Sequence, residues 1–117
     1  MLGNILVVGI GGACGSIFRY LCQRSFNTSF PYGTMSVNLI GCFLIGMLWS
    51  YLTKNPNDQL RLLLMTGLCG GFTTFSSFTH EGISMLFSNR WLEFIFYAGA
   101  SVVGGLLATY LGFKLLN

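Results

Sequence analysis

The chain has 117 residues, a formal net charge of +3, and 8% charged against 53% hydrophobic side chains. Soluble domains carry about 25% charged residues, so this composition excludes a water-soluble globular surface, and the scattered basic residues form no patch suited to nucleic acid. With one histidine and three acidic residues, His80–Glu81 beside hydroxyls is the sole candidate for an enzyme's nucleophile and base, and no catalytic constellation surrounds it.

Residues 1–18, 25–53, 62–79 and 94–113 contain no Asp, Glu, Lys or Arg. A bilayer core about 30 Å thick is crossed by roughly 20 apolar helical residues. Each gap supplies one crossing, which predicts an all-α membrane protein. Its spans lie at about 4–22, 33–53, 60–87 and 92–116, in a single four-helix domain over residues 1–117. The N-terminal run has no basic residues before it and three spans after it, so it reads as the first crossing and not as a signal peptide.

Span 1 carries Gly9, Gly11, Gly12 and Gly15, and the Gly11/Gly15 spacing suits close helix approach in lipid. Arg19 lies near its end, where it can snorkel to water or draw anions to a pore mouth. Span 2 holds one amide in its charge-free stretch, Asn38. Two readings stand for it: interhelical glue, or part of an ion path. The polar loop around Pro56 follows.

Span 3 is longer than one crossing needs, rising about 43 Å over residues 59–87 if fully helical. Gly70 and Gly71 sit near its midpoint, predicting a break at Gly70–Thr73 close to membrane mid-depth. Such a break is either a kink capped by Thr73 and Thr74 or an ion site, because freed carbonyls attract cations and half-helix N-termini attract anions. Phe72, Phe75 and Phe78 form a stripe, interleaved with Thr74, Ser76, Ser77 and Thr79. Phenylalanine edges are the positive end of the ring quadrupole and can sit against a small anion; packing or lipid contact is the alternative. Glu81 is placed to partner Arg19 or to face a vestibule.

Span 4 offers Tyr97 and Ser101 on one helix face, with Ala100/Gly104 and Ala108/Gly112 as small-residue pairs. Cys14, Cys22, Cys42 and Cys69 form no CxxC pair and have no histidine at metal spacing, so they read as packing residues. Lys54, Arg61 and Lys114 fall on one side of the membrane, Arg24 and Arg90 on the other, and Arg19 near the edge. A Lys/Arg excess normally fixes orientation. Here the near balance leaves two readings, a single orientation set by the insertion machinery or insertion both ways with antiparallel pairing.

Three ordered segments carry a family resemblance: Gly11-Gly12-Ala13-Cys14-Gly15-Ser16-Ile17-Phe18-Arg19-Tyr20, Pro31-Tyr32-Gly33-Thr34-Met35-Ser36-Val37-Asn38-Leu39-Ile40-Gly41, and Gly70-Gly71-Phe72-Thr73-Thr74-Phe75-Ser76-Ser77-Phe78. Over essentially the whole chain it resembles the Fluc (CrcB) fluoride channels. That resemblance implies an antiparallel dual-topology homodimer in the bacterial inner membrane, with two fluoride pores along the subunit interface. It implies pore roles for Phe75, Phe78 and Asn38, and a polar track of Ser76, Ser77, Tyr97 and Ser101. Arg19 matches a vestibule arginine. The backbone carbonyls of Gly70 and Thr73 match a central structural sodium site. Ser77 stands where many relatives have threonine, and Gly105 where some have a further serine, which leaves the far end of the track open. The implied activity is passive fluoride export. Two rivals are a small dual-topology multidrug exporter, which needs a membrane-embedded carboxylate that span 1 lacks, and a non-conducting assembly subunit.

Overall fold

A computed structural model describes residues 1–117. It is all-helical: α1 (Leu2–Phe26), α2 (Tyr32–Lys54), α3 (Asp58–Arg61), a π-helical segment (Leu62–Cys69), α4 (Gly70–Phe72), α5 (Phe75–Phe87) and α6 (Trp91–Leu116). Four stretches are long and apolar enough to cross a membrane: Leu2–Phe26, Tyr32–Lys54, Asp58–Phe87 and Trp91–Leu116. The longest dimension, 47 Å, matches a bilayer with its headgroup regions, about 40–45 Å.

Local chemistry sets the ends. Pro31 has no N–H to leave unpaired and precedes α2, its carbonyl accepting from Met35 at 3.0 Å. Asn57 caps α3 by accepting from the Leu60 N–H at 3.0 Å. α5 closes on Asn89, the one non-glycine residue with positive φ, at 58°. The Arg90 N–H reaches the Met85 carbonyl and the Asn89 N–H reaches that of Leu86. This is a Schellman closure with asparagine in the left-handed position, and it turns the chain into α6 within residues 88–90.

The helices associate in two pairs. α1 packs on the π-helical segment and α4, while α2 packs on α6. Glycines make both seams possible, and they do so by size, since none adopts positive φ. A Cβ at Gly11 or Gly15 would overlap the carbonyls of Leu63 or Leu68, and one at Gly71 would stand 2.5 Å from the Gly12 carbonyl. Between α2 and α6, a Cβ at Gly46 would overlap the Thr109 carbonyl and one at Gly112 that of Phe43. Backbone against backbone is how helices attract in lipid, where apolar burial gives no net drive. Accordingly only 17 of 117 residues are buried, while Ile5, Phe87 and Leu106 stay exposed.

One expectation needs correction. Gly70 and Gly71 are helical, within α4. The helical trace is interrupted one step later, at Thr73 (φ −85°, ψ 156°) and Thr74 (φ −149°, ψ 117°). Both are ordinary extended conformations that need no glycine, and Gly71 is spent on contact with α1.

Valine at Gly46 or Gly112 should therefore destabilise the fold by about 1–3 kcal/mol. Alanine at Gly99, where nothing lies within 4 Å, should be neutral or mildly stabilising. Thermal unfolding in detergent, followed by circular dichroism, checks the contrast.

Candidate functional site

The extended pair leaves backbone groups that a bilayer cannot hydrate. Asn38 on α2 meets them directly. Its Nδ2 donates to the Thr74 carbonyl at 3.0 Å, and its Oδ1 accepts from the Thr74 N–H at 2.7 Å. The amide thus replaces both helical partners of one residue. Thr74 in turn caps α5: its Oγ1 accepts from the Ser77 N–H at 3.1 Å and lies 3.2 Å from the Ser77 hydroxyl and 3.3 Å from that of Ser76. Ser76 and Ser77 therefore belong to a hydroxyl cluster around the start of α5.

These diversions free two carbonyls. The Thr74 N–H would close a helical bond to Gly70 but serves Asn38. The Ser77 N–H would serve Thr73 but goes to Thr74 Oγ1. A third terminal carbonyl, that of Gly71, accepts from Arg19 Nε at 3.0 Å. Arg19 thus places positive charge at the C-terminal, negative end of α4, where a charge-assisted bond is favoured.

Beside the interruption lies a cavity of about 340 Å³. Among the residues that line it are Asn38, Gly70, Thr73, Phe75, Phe78 and Ser101, all expected at an ion site. Phe75 is 77% exposed, and its ring stacks only near Phe78, at 5.8 Å between centroids. The Ser101 hydroxyl is buried without a hydrogen-bond partner. Ser76, Ser77, Tyr97 and Arg19 do not line this cavity. Tyr97 is fully buried, its ring 5.2 Å from that of Phe78 and one helical turn before Ser101.

From Tyr97 a polar network continues that the sequence did not disclose. The Tyr97 hydroxyl donates to Glu81 Oε1 at 3.1 Å. Glu81 Oε2 accepts from the Thr34 hydroxyl at 2.9 Å and from Asn27 Nδ2 at 3.0 Å. Thr34 Oγ1 accepts from Gln23 Nε2 at 3.0 Å, and Gln23 Oε1 from Arg19 at 3.4 Å. Arg19 and Glu81 are joined only through this relay of neutral groups. The sequence held one signal for it: Thr34 lies one turn before Asn38 on α2, so the two face the same way.

The fold and the composition define a multi-pass membrane protein. The chain belongs to the CrcB family: the model of that family, described as "CrcB-like protein, Camphor Resistance (CrcB)", matches residues 6–113. It is 44% identical over 117 residues to a protein of Chloroflexus aurantiacus, covering 95% of this chain and 93% of the relative. It is 46% identical to one of Gloeothece citriformis and 42% to one of Aquifex aeolicus, each match covering 97% of both chains. All three relatives are named "Fluoride-specific ion channel FluC", a channel's name and not an enzyme's.

Leucine at Asn38 keeps the branched shape but removes both bonds to Thr74. Leaving one buried backbone group unsatisfied costs about 1–3 kcal/mol. Asn38→Leu should lower the unfolding midpoint well below that of Asn38→Gln, measured in the same detergent series. Equal midpoints would show that the amide does not hold the interruption.

Proposed function

We propose that the protein is a fluoride channel that lets the anion leave the cytoplasm passively. The observation that carries this reading is the cavity beside the interrupted span, where the Asn38 amide, the rings of Phe75 and Phe78 and the unpartnered Ser101 hydroxyl converge. Each group offers partial positive charge to a small anion: an amide N–H, ring edges and a hydroxyl proton. Asn38 spends one N–H on Thr74 and retains the other. The names of the relatives support the choice of fluoride. The driving force is simple: hydrogen fluoride enters from acid surroundings, ionises inside, and the negative interior expels the trapped anion.

The cavity and the exposed face of Phe75 fit closure by an inverted second copy, giving an antiparallel dual-topology homodimer with the Thr73–Thr74 interruption near mid-membrane. The near-equal split of Lys and Arg between the two sides is what such insertion requires. Fluoride would then pass along Phe75 and Phe78, with Asn38 beside them and Ser76, Ser77, Tyr97 and Ser101 as a hydroxyl track. Arg19 would raise the anion concentration at the vestibule while its Nε holds Gly71. The freed carbonyls of Gly70 and Thr73 suit a hard cation such as sodium, and two antiparallel copies would bring two pairs of them together. Sodium there would supply a fixed positive charge and would not be transported.

Fluoride efflux from vesicles holding the purified protein should be rapid and selective over chloride, and Phe75→Ile or Phe78→Ile should cut it severely while the oligomer persists. Efflux no faster than from empty vesicles, with sodium present and folding verified, sinks the channel reading. A C-terminal tag should be cleaved by protease from both faces of inverted and right-side-out membranes; cleavage from one face alone rejects dual topology. Replacing sodium with a bulky organic cation should lower the dimer fraction on gel filtration.

A further inference from the structure

The cavity has a second chemical character. Cys42 from α2 and Met65 and Cys69 from the third span also line it. Met65 and Cys69 sit one turn apart in the π-helical segment and Cys42 comes from the facing helix, so two thiol residues and a thioether residue border one space from two elements. Neither thiol is in a disulfide. Cys69 is 3% exposed, and the Cys42 sulfur lies against Gly105 of α6, 3.4 Å from where a side chain there would begin. By contrast, Cys14 and Cys22 belong to α1 and line no part of this cavity.

We propose that this wall is a binding site for a soft monovalent cation of the Cu(I) or Ag(I) class, held by Cys42 and Cys69 with the Met65 thioether beside them. Thiolate and thioether ligands select such ions over hard ones. The charge also favours a monovalent metal. One thiol loses its proton to water as the metal–sulfur bond forms, so a single thiolate balances a single positive charge. The second thiol and the thioether then bind as neutral donors. A neutral complex is what a mostly apolar cavity tolerates, because an uncompensated charge there is costly. No redox step is involved.

The site adjoins Gly70, Phe75 and Phe78, so an occupied site would obstruct the anion route. That consequence rests on the channel reading; metal retention does not. The test starts from the full chain carrying Cys14→Ala and Cys22→Ala. Silver nitrate is added in chloride-free buffer, loose metal is removed by desalting, and the retained silver is measured by mass spectrometry. One silver per chain is expected, with loss of fluoride efflux in vesicles. Adding Cys42→Ala or Cys69→Ser should abolish retention and restore silver-resistant efflux relative to each variant's own untreated rate, and Met65→Leu should weaken retention. Gel filtration confirms that each variant is folded; if Cys69→Ser is not, Cys42→Ala and Met65→Leu decide. Retention unchanged by Cys42→Ala and Met65→Leu overturns the site. Were efflux absent even without silver, the channel reading would fail while the retention series still decided the metal site.

Discussion

The interrupted third span depends on two hydrogen bonds between the Asn38 amide and the backbone of Thr74. A helix can cross lipid because it satisfies its own peptide groups; two extended residues cannot. Asn38 supplies a peptide-like partner, donating at 3.0 Å and accepting at 2.7 Å. Once Thr74 is held this way, its hydroxyl is free to cap α5. The cap then orients Phe75 and Phe78 toward the cavity, and the carbonyls of Gly70 and Thr73 lose their usual donors. Arg19 closes the account on the other side by bonding Gly71. The candidate site is the set of consequences of one non-helical step inside an otherwise helical span.

That step persists because both flanking segments are locked elsewhere. α1 grips residues 62–72 through carbonyl contacts at Gly11, Gly15 and Gly71. α2 and α6 grip each other through Gly46 and Gly112, and α5 leans on α6 through Phe78 and Tyr97. The threonine side chain at position 73 fits against Gly41 of α2, where a Cβ would collide with its methyl. Shape at the glycines fixes where the first half of the span sits, and aromatic contact with α6 fixes the second.

Much of this was legible in the chain. Charge-free intervals gave the four spans because lipid forbids unpaired charge, and that constraint acts on sequence directly. Asn38, Phe75, Phe78 and Ser101 stood out as polar or aromatic groups at suitable depth, and they do share a cavity. The interruption was expected over Gly70–Thr73 and falls at Thr73–Thr74, because paired glycines resemble a hinge when their neighbour is unseen; the neighbour of Gly71 is Gly12 of α1. The bond from Arg19 to Gly71 and the relay through Gln23, Thr34 and Glu81 were not legible. They join residues 52 and 47 positions apart, and no periodicity encodes a contact of that kind. Glu81 looked like a partner for Arg19 by charge, yet its oxygens are taken by neutral donors from α2, α6 and the loop after α1.

The Schellman turn, the glycine seams and the interruption together divide the third span between two owners. Its first half belongs to α1 and its second half to α6, with only Thr73 and Thr74 between them. In a continuous helix, adding or removing one residue rotates everything beyond it by about 100°. Here Asn38 of α2 holds the extended pair at Thr74, so the direction in which Phe75 and Phe78 point is set from α2 as well as by residues 58–72. The third span is therefore two parts, each seated on a different neighbour.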